Sequence, residues 1–300
     1  MNFRDFLLLF GVCLVWGLNL VLTRWVVADM QVPPLFFAAV RFAGVALFLI
    51  PFLRPVPKKL FTLFLISIMM GSLNFALLFI GLQNAEASAV AVTGQLGVPI
   101  STLMSMAFLG ETIGWRRGLG IMLSFAGVVI IAFDPGSFAF SMGLLFVVGA
   151  AFTASYGGIL MKKMPPLTGL QVQAWIGLFS FAPLFAVSFL WESGQTAAYI
   201  HGGWLVWLAS FFAIAGVSIF GHGAFYTLIK KYDVSMLSPL TLMTPIWGVV
   251  FGIVLLNEPM SPRLLVGAVV ALAGVFMIAV RQNTRLPEAG LGKKFGGGES

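Results

Sequence analysis

The amino-acid sequence predicts an all-α membrane protein: ten transmembrane helices arranged as two inverted five-helix repeats. Three observations predict it. Of the 300 residues, 60% are hydrophobic and only 9% charged, and the mean hydropathy is +1.02. An ordinary soluble domain carries about 25% charged residues, and no soluble core in so short a chain buries that much apolar surface. Turn signals and charges then divide the chain into ten apolar runs, each close to the ~20 residues that cross a bilayer as a helix. Finally, one phrase is stated twice: "PISTLMSMAFLGE" (Pro99–Glu111) and "PIWGVVFGIVLLNE" (Pro245–Glu258), about 147 residues apart.

The runs are 6–28, 34–53, 59–82, 88–109, 116–133, 141–161, 168–190, 204–229, 234–256 and 262–280. The first is too long for a cleaved signal segment. Pro33-Pro34 opens the second run; Pro55 and Pro57 close it, because proline cannot continue a helix. Asp134-Pro135-Gly136 and Pro165-Pro166 are turns, and Gly-rich residues 282–300 read as a disordered cytoplasmic tail. Ten spans put both termini on one side. If that side is cytoplasmic, 14 of the 17 basic residues face inward, all but Arg24, Arg41 and Arg263. This is the bias expected of the cytoplasmic loops of a membrane protein. The net charge of +7 is thereby assigned to the lipid bilayer and not to nucleic acid. One cysteine, Cys13, excludes an internal disulfide and a Cys-rich metal site, and reads as an inert buried thiol.

Laying residues 84–132 over 231–279 matches Ser88 with Ser235, Glu111 with Glu258, Arg116 with Arg263, Gly120 with Gly267 and Ala126-Gly127 with Ala273-Gly274. Pro99 and Pro245 fall one residue out of register. Helices four and five thus repeat as nine and ten, so the unit is five helices: residues 1–135 and 136–281. Five is odd, so the second copy enters the membrane from the opposite side. Inverted repeats are the architecture of secondary transporters working by alternating access.

Ten helices as five plus five, "WGLNLVLTRW" (Trp16–Trp25) in helix one, and twice a Pro-containing helix ending in Glu before a Gly-rich helix resemble the drug/metabolite transporter superfamily, EamA type. The resemblance covers about residues 6–280 and implies a bacterial inner-membrane exporter of amino acids and similar metabolites. Where the second half should repeat the "WG", the chain reads Ser155-Tyr156, so any cavity is expected to be chemically asymmetric.

Polar groups in hydrocarbon are costly unless they face the bundle interior. The candidate cavity residues are Trp16, Asn19, Asn74, Gln95, Tyr156, Trp175, His222, Tyr226, Thr244 and Trp247, each to be weighed against plain helix packing. Pro99 and Pro245 are candidate hinges, since each lacks the N–H of a helix hydrogen bond. Arg41 lies about 10 Å into helix two at 1.5 Å per residue; it either holds a substrate carboxylate or is a structural charge. Glu111 and Glu258 sit at helix ends, where loop-fixing hydrogen bonds are expected. No Asp or Glu lies mid-helix, which argues against a proton-driven exporter of cations. Too few cavity cations are present for phosphorylated substrates. A neutral or zwitterionic solute remains: an amino acid, or alternatively another neutral metabolite or drug such as a nucleobase. No metal or cofactor is expected. An intramembrane enzyme would need a convergent nucleophile and base or metal ligands, and no such motif is visible. The Gly120/Ser124/Gly127 and Gly267/Ala271/Gly274 faces predict close packing of helices five and ten, within a monomer or across a weak homodimer.

Overall fold

A computed structural model describes residues 1–134, 139–232 and 234–280; the tail at 282–300 lies outside the described residues. Ten apolar helices account for almost all of it: α1 (Phe3–Asp29), α2 (Pro34–Phe48), α3 (Leu60–Asn84), α4 (Ala87–Leu109), α5 (Trp115–Ala132), α6 (Met142–Lys162), α7 (Gly169–Trp191), α8 (Gln195–Leu228), α9 (Met236–Leu256, its first turn opening at Val234) and α10 (Pro262–Ala279). Nine are long and apolar enough to cross a bilayer. The tenth, α2, has 15 residues and is prolonged by a 3-10 turn at Ile50–Leu53.

Local chemistry sets the ends. Asn2, Ser141, Thr168 and Ser261 cap α1, α6, α7 and α10 by accepting a backbone N–H three residues on, which satisfies donors that a helix start leaves open. Pro34 and Pro262 occupy first turns, where a missing N–H costs nothing. A two-residue antiparallel clasp, Phe133–Asp134 with Ala139–Phe140, joins α5 to α6 at the expected turn. Gly203 (φ 58°, ψ −150°) breaks α8, so its spanning part begins where the sequence places it, near 204. The stretch before the break, which carries His201, is a short helix.

Packing follows the repeat. The principal partners are α5 with α10, α2 with α7, α4 with α9, α1 with α9, α4 with α6, α1 with α8, and α3 with α6. Exchanging each helix for the one five places away maps the first three pairs onto themselves. It turns α1–α9 into α6–α4 and α1–α8 into α6–α3. The chain is thus a two-repeat, ten-helix bundle with a two-fold relation between its halves.

The α5–α10 seam forms within one chain. A methyl added at Gly127 would lie 2.5 Å from the Gly267 carbonyl oxygen, and one at Gly274 2.5 Å from that of Gly120. Glycine is required there because the two backbones touch. Ser124, buried beside them, returns its hydroxyl to the Gly120 carbonyl at 2.8 Å.

Candidate transport site

Four irregular parts of the bundle form two matched pairs. In α4, a helical segment Ala87–Thr93 gives way to a 3-10 turn at Gly94–Leu96 and resumes at Gly97. In α9, Val234–Leu240 gives way to a break at Thr241–Leu242 and resumes at Met243. The break is one residue longer in α4, which accounts for the one-residue slip between Pro99 and Pro245. Each proline is the third residue of its resumed segment. The helix bond that each proline cannot make is to the carbonyl four residues back, Gln95 for Pro99 and Thr241 for Pro245, and both carbonyls lie in the breaks. Pro99→Ala and Pro245→Ala supply the missing N–H and should each shift the thermal unfolding midpoint by no more than a few degrees, measured in detergent.

Three further helices carry π-type turns, a feature frequent at functional sites; that of α1, Trp25–Asp29, closes its helix, and the other two lie within theirs. These two are Ile68–Leu73 in α3 and Phe212–Gly221 in α8. The repeat offset carries the first onto 215–220, inside the second. Discontinuous helices near the membrane interior, paired across an inverted repeat, are where such bundles place substrate.

Arg41 lies against the α8 π-segment. It is 2% exposed; its Nε and Nη2 donate to Ser218 Oγ at 3.2 and 3.1 Å, and its guanidinium lies 4.6 Å from the centre of the Phe75 ring. Nη1 is buried and donates to nothing, and no carboxylate pairs with Arg41 among the described residues. A guanidinium strongly favours a planar, two-oxygen acceptor; here one hydroxyl and a ring face stand in its place.

The remaining predicted residues separate into groups. Trp16 of α1 meets His222 and Phe225 of α8, with ring centres at 5.1 and 5.3 Å; Tyr226 lies 6.3 Å from His222. Trp16 Nε1 is buried and unpaired, while His222 Nδ1 bonds the Val217 carbonyl at 2.9 Å. Asn19 is buried on the same helix. Thr244, its hydroxyl buried and unpaired, and Trp247 line the α9 contact with α1, where Gly17 lets Trp247 approach. Gln95 sits in the α4 break, half-buried. Trp175 is buried on α7 with Nε1 unpaired. Two others serve packing: Asn74 donates to the Ala150 carbonyl at 2.6 Å, and Tyr156 meets the Phe108 ring at 5.9 Å. Cys13 is fully buried. The described residues hold no cluster of metal-ligating side chains.

Sequence reasoning expected hydrogen bonds at Glu258, but it missed Glu192 and the fact that both carboxylates bind the halves together. Glu258 accepts from Ala87 N, Ser88 N and Ser88 Oγ at 2.6, 2.9 and 2.6 Å. Glu192 accepts from Leu35 N and Phe36 N at 2.9 and 3.1 Å, and from Ser188 Oγ. Each caps a helix of the other half on the same face of the bundle, a favourable place for an anion. Partial burial, and next the charge of Glu258, hold the Glu86 carboxyl above the usual range. The repeated glutamate was the legible signal; its acceptor role across the halves was not.

A cleft of about 600 Å³ opens on the opposite face between α4 and α6, lined by Ser101, Thr102, Ser105, Ser155, Lys162 and Glu111. Ser155 Oγ donates to the Gly97 carbonyl at 3.1 Å, which ties α6 to the α4 break.

A ten-helix membrane bundle with two matched halves and paired interior breaks is a membrane transporter. Residues 5–133 and 141–280 match the EamA-like transporter family model, and the chain belongs to that family. It is 28% identical to a "Probable amino-acid metabolite efflux pump" of Escherichia coli (strain K12), over 92% of this chain and 95% of that protein. A protein of the same description from Salmonella typhimurium is 29% identical, over 95% and 99%. An "Uncharacterized transporter YvbV" of Bacillus subtilis is 26% identical, over 94% and 93%. Among solved structures that share the fold, a crystal structure has a TM-score of 0.63 at 19% identity over 92% of this chain and 96% of that one.

Proposed function

We propose that this transporter exports or equilibrates amino acids and related small neutral or zwitterionic metabolites across the bacterial inner membrane. It does so by alternating access between residues 1–135 and 136–281, with both termini cytoplasmic. The observation that carries the reading is the pairing of interior breaks, α4 with α9 and α3 with α8, together with a buried arginine against the α8 break that meets no carboxylate among the described residues. Two arrangements of equal halves give two states of similar energy, which a carrier needs and an enzyme does not. The names of the Escherichia coli and Salmonella typhimurium relatives support the substrate class. In this reading the uncompensated Arg41 holds the substrate carboxylate, and aromatic groups from α1, α8 and α9 receive the apolar side chain. The basic face, with Arg116, Arg117 and Lys162, is cytoplasmic, and one chain suffices for transport.

Purified protein in liposomes should show saturable counterflow of radiolabelled amino acids. Flux of all twenty no greater than in empty vesicles would sink the substrate class. Counterflow of a nucleobase or neutral drug instead would move the assignment to the alternative substrate on the same fold.

A further inference from the structure

The two repeated glutamates are presented by the same local device and used differently. α4 ends on Gly110 (φ 68°) and α9 on Asn257 (φ 53°), both left-handed caps. The following residue then returns its N–H to the helix: Glu111 to the Ser105 carbonyl at 3.4 Å, Glu258 to that of Gly252 at 3.2 Å. The repeat offset relates every member of these two sets. The side chains nevertheless part company. Glu258 is 9% exposed and accepts three hydrogen bonds from the start of α4. Glu111 has 53% of its side chain exposed and, among the described residues, meets only Lys162, at 3.4 Å.

We propose that Glu258 is the latch of a gate, closed in this conformation, and that Glu111 is its repeat counterpart in the released state. The inference rests on the alternating-access reading above. A two-fold symmetric carrier visits a second state in which the halves exchange arrangements, so the contact made by Glu258 on one face is made by Glu111 on the other. In that state Glu111 turns from Lys162 toward the first turn of α9, and Glu258 leaves α4. Charge-assisted bonds to backbone N–H groups suit a latch, being strong when dry and readily exchanged for water when opened.

The surroundings agree. The cleft of about 600 Å³ has the released Glu111 on its rim. On the Glu258 face a cleft of about 470 Å³ has Glu86 and Pro259 on its rim, the immediate neighbours of the bonded Ala87 and Glu258; opening the latch would deepen it. Glu192 closes the same face at α2, but its neighbourhood does not repeat at the end of α2. It is therefore a fixed brace. Other polar ties, Lys59 to the Lys163 carbonyl and Asp5 to Lys231 and Tyr232, lie on the Glu111 face, and none of them involves Glu111.

The test is sided labelling of the full chain in liposomes with a membrane-impermeant maleimide. Ala89→Cys reports the Glu258 face and Ser101→Cys the Glu111 face, each lining its cleft; buried Cys13 is the unreactive background. Glu258→Gln should raise labelling at Ala89→Cys about tenfold and lower it at Ser101→Cys. Glu111→Gln should move both in the opposite direction. Ser88→Ala, which removes one of the three bonds and leaves the fold, should shift labelling the same way as Glu258→Gln by about threefold, and it carries the test if Glu258→Gln does not fold. Labelling that rises at both faces together would make Glu258 a helix cap and nothing more. Unchanged labelling in folded protein, or the same sign from both glutamates, would also overturn the latch. The readout needs no substrate. A labelling shift without amino-acid counterflow therefore refutes the substrate class alone, and counterflow without a shift refutes the latch alone.

Discussion

Gly127→Leu is expected to abolish recovery of folded transporter, and Gly274→Leu to do the same. At both positions the first added carbon would fall 2.5 Å from a carbonyl oxygen of the facing helix. The obstacle is backbone, so no rotamer change relieves it; α5 and α10 would have to separate. Overpacking that side chains can absorb costs about 1–3 kcal/mol, and here the cost lies at or beyond the upper end. This seam joins the halves of the molecule, so its opening is not a local event. The measurement is the monodisperse fraction on size exclusion and the thermal midpoint in detergent. Gly118→Leu is the control, since open space surrounds that glycine on the same helix; it should behave as wild type. A stable Gly127→Leu protein would show that the seam is looser than described.

The second large effect concerns Arg41. Arg41→Met should reduce amino-acid counterflow about 10- to 100-fold, the loss of one charge-assisted pair worth about 1.5–3 kcal/mol, while keeping a chain that folds. Methionine matches the length and apolarity of the site, and removing a buried charge that has no counter-ion relieves a desolvation cost. Thermal stability should hold or rise. Arg41→Lys should restore little, because an ammonium cannot present the planar fork that a carboxylate prefers. The decisive readout is selectivity. Wild-type protein should prefer an amino acid to the amine that lacks its carboxylate, and Arg41→Met should lose that preference. Undiminished flux with reduced stability would instead make Arg41 a brace between α2 and Ser218 of α8.

The chain's partition into ten spans was legible because hydrocarbon imposes its own length on apolar runs, and Pro, Gly and charges punctuate them. The repeat was legible because Glu, Gly and Arg matches are rare in apolar sequence. Even the slip between Pro99 and Pro245 was visible as a discrepancy, although its cause was not. The faces of the helices were not legible. In a soluble helix, burial and exposure differ in polarity, so sequence period reports orientation. In a membrane both lipid and core are apolar, and that contrast disappears. Asn74 and Tyr156 therefore looked as good as Trp16 for a cavity, yet they pack α3 and α4 against α6. The π-turns of α3 and α8 escaped for a related reason: no residue type marks a shifted backbone ladder when the surrounding side chains are all apolar.

By itself, then, the sequence determined the membrane class, the number of spans, the five-plus-five repeat and the two glutamates that end its matched helices, since each follows from local composition or from rare residues in order. Only the tertiary structure decided that the breaks precede the prolines, that Arg41 meets Ser218 and Phe75 but no acid, and that Glu258 is bound while Glu111 is free of α9. Those facts depend on which side chains from distant parts of the chain come within 3 Å of one another. A two-fold sequence repeat cannot encode the difference, because it assigns the same residue to both ends of the exchange; the conformation breaks the tie.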